Sequence, residues 1–425
     1  MGNANYRHLS SQVSQDPRTY LQNDLPKFIY HERIGNGKFM KSYLMKIDGT
    51  AVAVKVYLKP PDESVEEYAA ILTSMWNSLS PSRHPNLLPY QMWIKSMSKI
   101  TKPLVTPVFL VRQYFPFNLY DRLSTRPFLT DIEKLWVIYQ LMRAVEDCHA
   151  QGVVHGDVKP ENVMVTSWNW ISLTDFAPYK PVLIPDDDPT DFHYFFDSMS
   201  RRRCYVAPER FFKSGDYLLN PSNNLSGPQY SSKEKTDSFR ERKAEKSLSP
   251  AMDVFSLGCT MAEVILDGKP LLDLPSMLQY KSCCEDPTFS TTSPMTSLIH
   301  PDSPAVSALG RIKDARMQRV IGLMTQHNPN RRKNVGAYRS KLVECGVFPK
   351  YFETTLYDLF LQIHWDGKTP DDRISLICQN YSSIMSDIAE CSDSEGELFF
   401  GSVLKSLRSQ QDISSDTCAS GSKEQ

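Results

Sequence analysis

The chain has 425 residues, enough for one large bilobal domain or for two or three smaller ones with an ample core. Its 48 basic and 49 acidic residues leave a formal net charge of −1, which gives no support to polyanion binding across the whole surface. No apolar run approaches the roughly 18 residues that span a bilayer, and no apolar segment near the start reads as a secretion signal, so the chain is expected not to cross a membrane. Nine cysteines, an odd number without paired metal-ligand spacing, point to a reducing, cytosolic compartment.

Residues 1–26 are polar and irregular. Met1-Gly2-Asn3 offers a glycine at the only position N-myristoylation can use, with Tyr6 where Ser or Thr is preferred. A single myristoyl chain anchors only marginally, so a second contact, such as a membrane-bound partner, is expected beside it.

From about 27 to 113 the text is strand-rich and describes a small lobe. Ile34-Gly35-Asn36-Gly37 reads as a glycine loop between strands, where missing side chains let backbone amides approach phosphate; Met40 stands where a third glycine would complete it. Lys55 lies in the apolar strand Ala51–Tyr57, where an unpaired lysine would be costly to bury, and its expected task is to hold the α and β phosphates of a nucleotide. The spacing predicts a helix over Ser64–Leu79. Its Glu66 and Glu67 fall early for an ion pair with Lys55, and its centre offers Ile71, Leu72 and Thr73 instead. Phe109–Tyr114 reads as the last strand before a hinge.

The larger lobe opens with a helix over Ile132–Gln151, apolar at Leu135, Ile138, Tyr139, Met142, Val145 and Cys148. His155-Gly156-Asp157-Val158-Lys159-Pro160-Glu161-Asn162 follows, and Asp175-Phe176-Ala177 comes later. In phosphoryl transfer a carboxylate must receive or orient the substrate's hydroxyl proton, and further side chains must hold Mg²⁺ against the phosphates. Asp157 suits the first role, and Asn162 with Asp175 the second. Lys159, two residues after Asp157, favours serine or threonine substrates. Val163–Val165 and Trp170–Thr174 predict a hairpin that returns Asp175 beside Asn162. Gly156 stands where most protein kinases carry an arginine that pairs with a phosphorylated activation loop, and Ala177 replaces the glycine that usually follows Asp-Phe.

An activation segment is expected between Asp175 and Ala207-Pro208-Glu209. Its basic triplet Arg201-Arg202-Arg203 reads either as a solvated cluster or as a docking site for an acidic or phosphorylated partner. Residues 213–250 are poor in large apolar side chains and read as a flexible surface insertion. A helix entry at Asp253–Cys259 continues apolar through Leu266, and Tyr280–Ser307 is again rich in Ser, Thr and Pro.

Residues 27–340 resemble a eukaryotic protein-kinase domain, an α+β bilobal fold with a small lobe at 27–113 and a large lobe at 114–340. Asn118–Leu129, Glu161–Ala177 with its Ser167-Trp168-Asn169-Trp170, and Asp191-Phe192-His193-Tyr194-Phe195-Phe196-Asp197 through Arg210 are more specific. They resemble the regulatory serine/threonine protein-kinase subunit of the class III phosphatidylinositol 3-kinase complex.

That resemblance implies a membrane-recruited subunit acting in autophagy and in endosomal or vacuolar sorting. It would be cytoplasmic, peripheral on endosomal or autophagic membranes through a myristoylated Gly2. Its implied partners are the lipid-kinase catalytic subunit, a beclin-like subunit and a protein substrate, with no nucleic acid. The implied cofactors are ATP or GTP with Mg²⁺, held by Ile34, Gly35, Gly37, Lys55, Asn162 and Asp175, with Asp157 and Lys159 catalytic. The resemblance also implies a packing role for His155, a buried Glu209–Arg332 ion pair, and Asp253 as anchor of the catalytic loop.

Residues 341–384 resemble the start of the family's helical repeats, while most of that array and the propeller expected after it are absent from this sequence, which counts against full complex assembly; 385–425 reads as disordered. Two readings stay open: an active serine/threonine kinase, favoured by the retained Lys55, Asp157, Lys159, Asn162 and Asp175, and a nucleotide-binding scaffold, favoured by the departures at Met40, Gly156, Ala177 and the helix glutamates.

Overall fold

The computed structural model of the chain describes residues 17–36, 40–59, 65–96, 106–197, 202–213, 247–285, 304–364, 369–390, 396 and 398–401. The small lobe contains α1 (Pro17–Asp24), β1 (Ile29–Asn36), β2 (Met40–Ile47), β3 (Thr50–Lys59), α2 (Val65–Ser78), β4 (Leu87–Leu88), β5 (Met92–Lys95) and β6 (Thr106–Gln113). The large lobe begins with α3 (Leu119–Ser124), α4 (Asp131–Ala150), β7 (Val163–Val165), β8 (Ile171–Thr174), β9 (Ile184–Pro185), α5 (Thr190–Phe195) and β10 (Phe211–Phe212). It continues through α6 (Pro250–Ile265), α7 (Leu274–Glu285), α8 (Pro304–Leu309), α9 (Ala315–Met324), α10 (Val335–Glu344), α11 (Tyr357–His364) and α12 (Pro370–Glu390).

Five strands pair antiparallel in the order β1-β2-β3-β6-β5. The β2–β3 hairpin turns at Asp48-Gly49, both at positive φ (48° and 79°), the backbone that a tight two-residue turn requires. The strand period of two then sorts the faces. Val52, Val54, Val56, Phe109 and Val111 bury on one face under Leu21 of α1 and Leu25 just after it. Tyr57, Val108 and Leu110 bury on the other with Tyr68 and Leu72 of α2. Lys55 and Arg112 have this second parity, which directs them to the cleft between the lobes.

In the large lobe, Thr130 and Glu133 form a reciprocal capping box that starts α4. That helix then buries Trp136, Val137, Ile138, Tyr139, Leu141 and Met142 completely. β7 and β8 form the expected hairpin, and β4 of the small lobe joins β8 in parallel. The fold is thus the expected α+β bilobal kinase architecture.

The carboxy-terminal part differs in two respects from its reading as text. Helix α10 crosses the boundary expected at residue 340, and the segment after it joins the large-lobe core. Phe352 and Phe360 lie 5.1 and 5.4 Å from Trp136, and Phe348 lies 5.5 Å from Tyr139, ring centre to ring centre. The stretch from 385, expected to be disordered, begins inside α12. Ile377, Ile384 and Ile388 share one buried helical face, and Phe399 and Phe400 are buried as well. Polar composition concealed that spacing.

Candidate active site

The cleft is assembled from both lobes. β3 brings Lys55, whose Nζ lies 2.6 Å from Asp175 Oδ2 at the end of β8. β6 brings Arg112, whose Nε lies 3.3 Å from Asp175 Oδ1, and the Tyr90 hydroxyl donates to the same oxygen at 3.0 Å. Burial alone would raise the Asp175 carboxyl, but Lys55 and Arg112 hold it well below the usual carboxylate range. Burial lowers Lys55, with Asp175 acting against that. Asp175 itself adopts a positive φ of 65°. Ala177, which stands where a glycine usually follows, donates its N–H to the His155 carbonyl at 3.0 Å.

The catalytic-loop side chains meet on one oxygen. Asp157 Oδ2 accepts from Lys180 Nζ at 2.6 Å and Asn162 Nδ2 at 2.9 Å, with Lys159 Nζ at 3.1 Å. Asn162 also donates to the Asp157 carbonyl at 2.7 Å, which fixes its amide. Burial raises the Asp157 carboxyl, but Lys159 and Lys180 outweigh it and lower it to about 2. A carboxylate so stabilised stays ionised at neutral pH and can accept a hydrogen bond from a hydroxyl.

Two anchors hold the loop beneath this cluster. Asp253 of α6 accepts from the backbone N–H groups of His155 (2.7 Å) and Gly156 (2.8 Å). The His155 ring is fully buried, 2.9 Å from the Thr174 carbonyl through Nε2 and 4.6 Å from the Phe176 ring centre; burial lowers its pKa. The second anchor is Arg210, which donates to the carbonyls of Gly156, Pro181 and Val182, each at 2.9 Å. Gly156 has a φ of +78°, and a Cβ there would come within 2.7 Å of Leu248. A side chain at the position of the usual loop arginine is therefore strained by the backbone and would require Leu248 to shift, and Arg210 ties the loop to the activation segment by another route. Farther down, Arg332 grips Glu209 with both guanidinium nitrogens at 2.7 and 2.9 Å.

Lys55, Asp157, Lys159, Asn162 and Asp175 are thus brought together. Ile34 and Gly35 end β1, and a Cβ on Gly35 would lie 3.1 Å from Ser42 Cβ, so the glycine also permits close strand pairing. Gly37 and Gly2 lie outside the described residues. Among the described residues Lys55 pairs with Asp175; Glu66 lies 3.3 Å from Lys95, and α2 turns Tyr68 and Leu72 inward. Tyr90, Arg112, Lys180 and Arg210 escaped the reading of the text. Arg112 was within its reach, because it is a charge in an apolar strand on the parity of Lys55.

Magnesium fits this donor set. Asn162 and Asp175 offer hard oxygens, and among the described residues no group of three or more His, Cys, Asp or Glu makes a closed cage. Mg²⁺ is characteristically held by one or two such groups together with nucleotide phosphates, and there it would neutralise phosphoryl charge.

A protein kinase domain family matches residues 28–218. Serine/threonine-protein kinase VPS15 of Arabidopsis thaliana is 35% identical over 92% of this chain and 23% of its own length. The protein of the same name in Schizosaccharomyces pombe is 35% identical over 87% of the chain and 19% of its own length. A probable serine/threonine-protein kinase vps15 of Dictyostelium discoideum is 37% identical over 86% and 16%. The chain belongs to the VPS15 family. It spans less than a quarter of the length of these VPS15 relatives, and the part it shares with them extends past the kinase match into the helices after residue 340.

Proposed function

We propose that this chain is the protein-kinase module of a VPS15-type subunit, transferring the terminal phosphate of ATP to serine or threonine within a class III phosphatidylinositol 3-kinase complex. The observation that carries the reading is the convergence of Lys159 and Asn162 on Asp157, beside the Lys55–Asp175 pair. In this mechanism Asp157 accepts the substrate hydroxyl's hydrogen bond, and Lys159 balances charge at the transferring group. Lys55 holds the nucleotide's inner phosphates, and Asn162 with Asp175 would hold Mg²⁺. Positioning of this kind supplies most of the catalysis in phosphoryl transfer.

The partner subunits, the role in autophagy and endosomal or vacuolar sorting, and the membrane attachment through Gly2 belong to the same proposal. The names of the relatives support the first two, and the Met1-Gly2-Asn3 start supports the third.

A second reading is favoured by a specific feature: both carboxylates are bound by cations of the chain itself. A nucleotide-binding scaffold that recruits and activates the lipid kinase would need no turnover. The test is incubation of the full chain with Mg²⁺ and ATP or GTP, followed by mass spectrometry, with Asp157→Asn alongside after both are shown folded. Phosphoserine or phosphothreonine formed by the parent and lost about a hundredfold or more in the variant supports the kinase. Nucleotide binding without transfer by either supports the scaffold.

A further inference from the structure

The turn after β8 delivers one cation that the kinase reading leaves without a task. Lys180 N donates to the Ala177 carbonyl at 3.3 Å, and the Tyr179 ring wedges against Tyr57 and Tyr68 at 5.8 and 6.0 Å. This tight return carries the Lys180 side chain back over the catalytic loop. Its Nζ reaches Asp157 Oδ2 at 2.6 Å and lies 4.9 Å from the centre of the Phe196 ring. The side chain is only 9% exposed.

Among the described residues, the basic side chains Lys55, Arg112, Lys159 and Lys180 crowd the carboxylates Asp157 and Asp175, with Glu161 beside Lys159. Buried positive charge without a matching anion is costly, and a polyphosphate offsets it. Lys180 shares its single carboxylate oxygen with Lys159 and Asn162, so Asp157 does not satisfy it alone. Burial lowers its ammonium to about 7 even against the pull of Asp157.

We propose that Lys180 is a ligand of the nucleotide's terminal phosphate, exchanging its bond to Asp157 for one to a phosphoryl oxygen. The assignment rests on the reading that the cleft takes a nucleoside triphosphate. The exchange takes one ammonium off Asp157 Oδ2 and opens that oxygen to a substrate hydroxyl. It thereby couples arrival of the third phosphate to exposure of the proton acceptor. A diphosphate does not reach Lys180 and leaves the Lys180–Asp157 pair closed.

The test compares binding of ADP and of a non-hydrolysable ATP analogue, each with Mg²⁺, to the full chain by calorimetry, using Lys180→Gln and Lys180→Arg. Preference of the parent for the analogue should fall about tenfold or more in K180Q, the scale of one charge-assisted hydrogen bond. Affinity for ADP should stay within about twofold, and K180R should regain part of the preference. An unchanged preference in folded K180Q, or equal loss for both nucleotides, overturns the assignment.

An independent arm needs no variant. An ATP acyl-phosphate probe carries its acyl group on the terminal phosphate and transfers it to a lysine amine with release of ATP. Label on Lys180 that excess ATP competes away supports the proposal, and label confined to Lys55 or Lys159 overturns it. A parent chain that binds neither nucleotide overturns the triphosphate reading itself, an outcome distinct from a parent that binds ADP and the analogue alike.

Discussion

At the scale of single residues, the large lobe depends on a few buried ions whose partners are all backbone or opposite charge. Arg332 is fully buried and Glu209 is its carboxylate, so Glu209→Ala would leave a guanidinium without a counter-charge. Loss of about 3–5 kcal/mol is expected, read as a lowered midpoint in denaturant unfolding. Arg210 is a different case, because its three acceptors are carbonyls and burial lowers its pKa to about 10. Arg210→Met should loosen the catalytic loop against the activation segment, seen as faster amide exchange at Gly156 and Val182.

Asp157 gives a pH signature at the same scale. Its pKa is about 2 in the fold against 3.8 for the ordinary group, so its ion pairs add stability above about pH 4 that is lost as pH falls through 2. The term is on the order of 2 kcal/mol. Thermal unfolding of parent and Asp157→Asn across pH 5 to about 2 should converge as the acid limit is reached. Parallel curves would count against this account.

At the scale of elements, helical apolar spacing, strand period and hairpin spacing were readable as text, and they produced α2, α4, the β7–β8 hairpin and α6 within a few residues of their observed ends, while the capping chemistry that starts α4 went unread. The Thr130/Glu133 box illustrates the mechanism: each side chain satisfies the other's orphan backbone donor. Thr130→Ala should cost about 1 kcal/mol, measurable as a small fall in midpoint with the cleft unchanged. The same period-two logic that marked Lys55 also marks Arg112, on the neighbouring strand and the same face. Lys180 carried no comparable signal. It sits in a turn, where neither strand nor helix period assigns a direction, and only the packing of Tyr179 between Tyr57 and Tyr68 aims it.

At the scale of the whole molecule, the helices after residue 340 complete the kinase lobe rather than follow it. Trp170 stacks on Phe360 with ring centres 6.0 Å apart, and the Tyr357 hydroxyl donates to Asn86 at 2.6 Å. A chain ended at residue 340 would uncover Trp136, Tyr139 and Trp170, and each large buried side chain contributes roughly 1.5–3 kcal/mol. Such a truncation should unfold at lower temperature or aggregate. Unchanged solubility and cooperativity would refute the shared core.

What the text by itself determined was chemistry and local form. The residue types at Lys55, Asp157, Lys159, Asn162 and Asp175 have few uses in that order, and Gly156 announced a missing arginine. Those signals are local, because they depend on spacing within one loop or one strand. What only the tertiary structure decided was pairing across distance: Lys55 with Asp175, Lys180 with Asp157, Arg210 with the Gly156 carbonyl, and the late aromatics with α4. Electrostatic and packing partners are chosen by proximity after folding, and an ammonium or a phenyl ring satisfies many candidates equally until the backbone brings one of them near.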